Sequence, residues 1–65
     1  MQLIMRYSLK WNANSNAYEI WLQLQNGATH KVPVNSVEEF IAISTILRNS
    51  PSFLHPDGTI EYRSN

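Results

Sequence analysis

The stretch Tyr18-Glu19-Ile20-Trp21-Leu22-Gln23-Leu24-Gln25-Asn26-Gly27-Ala28-Thr29-His30-Lys31-Val32-Pro33-Val34 decides the fold. Tyr18, Ile20, Leu22 and Leu24 recur with period two against Glu19, Trp21, Gln23 and Gln25, the pattern of a strand with one buried face. Asn26-Gly27 then turns the chain. A two-residue turn would set Trp21 opposite Val32 and part Val32 and Val34 from Ile20 and Leu22. A three-residue loop, with Gly27 left-handed in a bulge, sets Leu24 opposite Ala28, Leu22 opposite His30, Ile20 opposite Val32 and Tyr18 opposite Val34. A slip of one residue moves every side chain to the other face, so the pattern selects the three-residue loop. Pro33 has no N–H for a ladder, which puts this strand at an edge or ends it there.

Upstream, Leu3, Met5, Tyr7, Leu9 and Trp11 alternate with Arg6, Ser8 and Lys10, giving another half-buried strand in which Ile4 alone is out of phase. Asn12-Ala13-Asn14-Ser15-Asn16 closes it, since Asn and Ser bond to nearby backbone and Asn tolerates left-handed conformations. Pairing Trp11 with Tyr18 sets Leu9 opposite Ile20, Tyr7 opposite Leu22, Lys10 opposite Glu19, Ser8 opposite Trp21 and Arg6 opposite Gln23.

Downstream, Ser36-Val37-Glu38-Glu39 fits a capping box, with Ser36 as N-cap and Glu39 reaching back to the Ser36 amide. Glu38 and Glu39 suit the positive end of the helix dipole and Arg48 the negative end. The helix is predicted from Val37 to about Arg48, before Asn49-Ser50-Pro51. Pro56-Asp57-Gly58 predicts a hairpin between Phe53-Leu54-His55 and Thr59-Ile60-Glu61-Tyr62, with Leu54 and Ile60 on one face. The expected architecture is one α+β domain over residues 1–65. It is a three-stranded antiparallel β-meander, one amphipathic helix packed on one face, and a short C-terminal β-hairpin (βββαββ). The hairpin is placed beside the first strand, because Pro33 makes the third a poor partner.

The helix is too apolar for a single sheet. Taking Val37 as zero at about 100° per residue, Ile41 lies near 40°, Ser44 near 340°, Phe40 near 300°, Leu47 near 280°, Ile43 near 240° and Ile46 near 180°. That arc of roughly 220° exceeds the stripe of a little over 100° that one packed face requires. Phe40, Ser44 and Leu47 suit the sheet. The flanks Ile43 and Ile46, or Val37 and Ile41, then need cover from the C-terminal hairpin through Phe53 and Leu54, or from a second chain in a two-fold dimer.

With 65 residues the chain holds one modest core, burying about 60% of the surface it exposes when unfolded. Cysteine is absent, so no disulfide supplements that core, and two histidines far apart in sequence do not suggest a structural zinc. Association with another subunit is the remaining supplement. Net charge is zero, unlike the basic footprint of a general nucleic-acid binder or a membrane-surface protein. No run approaches a transmembrane span of roughly 20 residues, and Arg6 interrupts any signal-peptide-like start. These features lead us to expect a cytoplasmic protein with no membrane partner.

No catalytic set assembles. His30 and His55 are the only candidate bases for chemistry near neutral pH; His30 falls on an inner face and His55 precedes a turn, where Asp57 is in local reach. No nucleophile motif, carboxylate pair, metal set or phosphate loop accompanies them, and neither an enzyme, a cofactor, a metal nor a small-molecule site is expected. The outer sheet face is richer. Trp21 sits mid-sheet among Lys31, Arg6, Lys10 and Gln23, with Glu19 opposing. An aromatic among cations suits a protein contact, or a base-stacking platform for single-stranded nucleic acid; alternatively the cationic stems merely shield the indole. The expected function is a non-enzymatic protein-interaction module, a homodimer or a subunit of a larger assembly. Its contacts would be the helix flank (Val37, Ile41, Ile43, Ile46) and the Trp21 face. A small single-stranded nucleic-acid binder is the alternative.

Overall fold

A computed structural model describes residues 1–64. Five antiparallel strands form one sheet with a single helix, an α+β fold: β1 (Gln2–Asn12), β2 (Ala17–Leu24), β3 (Thr29–Val32), α1 (Val37–Leu47), β4 (Ser52–Leu54) and β5 (Ile60–Tyr62). The strand order is β3-β2-β1-β4-β5, so the C-terminal hairpin joins the sheet beside β1.

The register follows the alternation. Leu9 faces Ile20, Trp21 faces both Ser8 and Lys31, and Ile20 faces Val32. The β2–β3 loop has three residues: Leu24 and Ala28 are joined by a 2.9 Å backbone bond, Gly27 donates to the Leu24 carbonyl, and Gly27 has φ +89°. Glycine is needed there because a side chain at that φ is strained.

The phase error at Ile4 has a structural cause. Arg6 faces Gln23 while Ile4 faces Leu24, so Met5 is an extra residue in a β-bulge. The bulge returns Ile4 to the inner face, where it packs on the core, and turns Met5 out to solvent. Because Met5 has no partner of its own, deleting it is expected to keep the fold and cost no more than about 1 kcal/mol. A urea titration of the deletion variant checks this.

Local devices set the remaining ends. Ser36 caps α1, its Oγ accepting from the Glu39 N–H at 3.1 Å. The Glu39 carboxylate accepts from the Asn35 N–H at 3.0 Å rather than from Ser36, so the box closes one residue early. Arg48 forms the C-cap, one residue beyond the last turn of the helix. Asp57 accepts from the Thr59 N–H and Gly58 has φ +94°, closing the β4–β5 turn. Ser52, buried, donates to the Asn49 carbonyl at 2.6 Å and lies 3.3 Å from that of Ile46, tying β4 to the helix end.

The core is Ile20, Leu22, Leu24, Val32, Leu47 and Leu54, with Ile4, Val34, Phe40, Ile43 and Ile60 packed against it. Ser44 is buried between helix and sheet. Phe40 stacks on Tyr18 with ring centroids 4.5 Å apart, and Tyr18 on Trp11 at 4.8 Å.

Candidate functional site

Two surfaces carry the residues singled out by the sequence. The first is the outer sheet face. The β1–β2–β3 register brings Lys10, Glu19, Trp21 and Lys31 together on one face. The ammonium groups of Lys31 and Lys10 lie 5.8 and 6.0 Å from the Trp21 ring centroid. The indole N–H donates to Glu19 at 3.2 Å, and Asn12 donates to the other carboxylate oxygen at 3.3 Å. The bonds from Trp21 and Asn12, with Lys31 and Lys10 nearby, hold Glu19 below the usual carboxylate range. Trp21 is therefore already engaged by neighbours on its own sheet. Arg6 and Gln23, with Ser8 and Thr29, line a shallow hollow of about 340 Å³ beside the indole.

The second surface lies on the helix side of β1. Tyr7, Leu9 and Trp11 point to the same face as the core, yet remain 40, 39 and 52% exposed. On the helix, Val37 and Ile41 are 42 and 57% exposed. Of the other predicted flank residues, Ile43 packs against the core and Ile46 is half-buried. Of the two flanks the periodicity offered, the Val37–Ile41 side is the more exposed. The C-terminal hairpin covers the helix only in part: β5 packs against α1, yet Val37 and Ile41 stay exposed, and β4 pairs with β1 only at Gln2 and Leu3.

The chirality of the chain places these open residues together. The helix runs in the direction of β2, since Phe40 lies on Tyr18 at the start of β2 and Leu47 lies near Ile4, opposite Leu24 at its end. Seen from the helix with β2 pointing up, even-numbered side chains face the viewer, and L-residues then bond to their right. Leu24 bonds to Ala28, so β3 is on the right and β1 on the left. A right-handed helix centred on Phe40, Ser44 and Leu47 turns Val37 and Ile41 to the left. The open flank of α1 therefore lies on the side of β1, where Tyr7, Leu9 and Trp11 are also exposed, and the five side chains are taken together as an apolar strip. Length is the signal that reveals it: β1 has 11 residues and its neighbour β4 only 3.

The histidines meet differently from the sequence expectation. His55 bonds Glu61 at 2.7 Å rather than Asp57, and Arg63 joins the same carboxylate at 3.2 Å. Hydrogen bonding from His55 leads, with Arg63 adding charge, in holding Glu61 below its ordinary value. His30 and His55, distant in sequence, both line a hollow of about 320 Å³ with Gln2 and Leu54. Among the described residues no group of three His, Cys, Asp or Glu side chains is placed to hold a metal ion. No helix there is long and apolar enough to cross a membrane.

Compared with known proteins, the chain matches no family model, no curated protein and no solved structure.

Proposed function

We propose that this chain is a non-enzymatic protein-interaction module, and that its binding surface is the strip Tyr7, Leu9, Trp11, Val37 and Ile41. One observation carries the reading: five large apolar side chains, three on the helix side of β1 and two on the β1 side of α1, stand exposed, in a domain whose buried apolar core is scarcely larger. Large contiguous apolar surface on a small protein marks an interaction site, and aromatic residues supply much of the energy of such contacts. The reading also answers the thin margin of a short chain without disulfides, because a bound partner adds to apparent stability.

Ile41 is the residue to test, being the most exposed of the five and outside the core. Ile41→Glu is expected to leave far-UV circular dichroism unchanged and to weaken association by about 100-fold or more, since burying a Leu-sized side chain is worth roughly 1.5–3 kcal/mol and a buried unpaired charge costs further. Light scattering on the wild type and the variant measures it. Association that survives the charge counts against the strip.

A second reading, a small single-stranded nucleic-acid binder using Trp21, Lys31, Arg6, Lys10 and Gln23, has the hollow beside Trp21 in its favour. Against it, the indole is engaged by two lysines and Glu19. The expected result is that a single-stranded oligonucleotide leaves Trp21 emission unchanged at low salt in a Trp11→Phe background. Quenching that fades as salt rises would favour the second reading instead.

A further inference from the structure

Resting on the reading of the apolar strip as a binding surface, we propose that its occupant is a second copy of this chain, with the two β1 strands paired antiparallel about a two-fold axis through Leu9. The starting point is a free sheet edge. β1 meets β4 only at Gln2 and Leu3, so from Arg6 to Asn12 the side of β1 away from β2 has no strand beside it among the described residues. Even-numbered residues of β2 bond toward β3, so its odd-numbered residues bond toward β1 and meet Arg6, Ser8 and Lys10. The N–H and C=O groups of Tyr7, Leu9 and Trp11 therefore point out along the free edge. Their side chains are those of the apolar strip.

This edge lacks the usual protections against pairing with another strand. Arg6 to Asn12 holds no proline and no bulge, and the cations Arg6 and Lys10 both point to the outer face. Charge is compatible with a second copy in the register centred on Leu9, which has the longest overlap that avoids the bulge. With the axis through Leu9, Leu9 faces its own copy, Tyr7 faces Trp11, Ser8 faces Lys10 and Arg6 faces Asn12. Each outward-bonding pair exchanges its N–H and C=O groups, and no two cations stand opposite each other. Moving the axis to Ser8 sets Arg6 against Lys10. Moving it to Lys10 sets lysine against lysine. Moving it to Tyr7 runs the overlap into the bulge at Met5. The palindrome of side-chain types around Leu9 fits a second copy of the same strand.

The helices agree with this arrangement. A two-fold axis perpendicular to the sheet leaves both helices on one face of a continuous sheet. The flank of α1 on the side of β1 is the flank that then faces the other copy, so Val37 and Ile41 of each chain are turned toward each other. The two β2 strands stand three strand spacings apart, roughly 14 Å. Helices in direct contact lie about 8–10 Å apart. The rings of Tyr7 and Trp11 from both copies supply the filling between them.

The chain has no cysteine, so one introduced cysteine reports one position. Cα atoms in a facing hydrogen-bonded pair are about 5.5 Å apart, inside the range a disulfide spans. Under mild oxidation Leu9→Cys is expected to form a covalent dimer at least about tenfold faster than Ser8→Cys, whose side chain faces Lys10 on the other side of the sheet. Mixed Tyr7→Cys and Trp11→Cys chains are expected to link to each other. Leu9→Lys, which changes a partly exposed position, is expected to stay folded by circular dichroism and to become monomeric. A native chain that is monomeric at millimolar concentration overturns the proposal. So does a dimer in which Ser8→Cys links as fast as Leu9→Cys; in that case only the β1 pairing fails, while the strip as a binding surface is judged separately by Ile41→Glu.

Discussion

Leu22→Ala is expected to lower the melting temperature by roughly 8–40 °C, among the largest losses from any single truncation. Leu22 is 1% exposed and lies at the centre of the inner face, opposite both Tyr7 and His30. Truncating a buried leucine costs about 2–5 kcal/mol, through lost burial and the cavity left behind. For a domain this small each kcal/mol moves the melting temperature by roughly 4–8 °C. The total stability to be expected is only about 3–10 kcal/mol, so the variant sits close to the limit of folding. Ile46→Ala removes a similar side chain from a half-buried position, and its loss should be under half as large. Thermal unfolding followed by circular dichroism compares them; equal losses would mean that the core is not centred on β2.

The second large effect comes from adding volume. Ser44 is 4% exposed at the point where α1 crosses the sheet, flanked on its face by Phe40 and Leu47. Its hydroxyl donates to the Ile41 carbonyl within the helix, a bond that leaves no other group dependent on it. Size is what the position requires. Ser44→Leu is expected to cost about 2–3 kcal/mol, because a packed interior accepts extra methylenes only by moving its neighbours. Ser44→Ala should lie within about 1 kcal/mol of wild type, since alanine favours the helix and fits the space. A destabilised Ser44→Ala beside a tolerated Ser44→Leu would contradict the account of helix docking.

The sheet was legible in the sequence because one physical constraint dominates it. A half-buried strand shows its burial in every second residue, and Ile20, Leu22 and Val32 leave a single register that keeps them together. The turns were legible because glycine at positive φ is required at Gly27 and Gly58. The bulge at Met5 left a trace in the misphased Ile4, but alternation alone could not separate a bulge from an exception. Side-chain reach was less legible: Glu39 bonds Asn35 rather than Ser36. His55 finds Glu61 diagonally across the hairpin, a pairing that emerges only once the register of β4 and β5 is known. At the interaction surface, helical periodicity flagged excess apolar residues, while the choice of flank depended on chirality and on how far β4 extends beside β1. Periodicity carries neither.

Absolute mass in solution, by size-exclusion chromatography with light scattering from micromolar to millimolar concentration, tests the interaction account most directly. The expected species has twice the 7.5 kDa chain mass, dissociates on dilution and is lost in Ile41→Glu. A mass of 7.5 kDa at every concentration would contradict it, leaving the strip without the partner assigned to it.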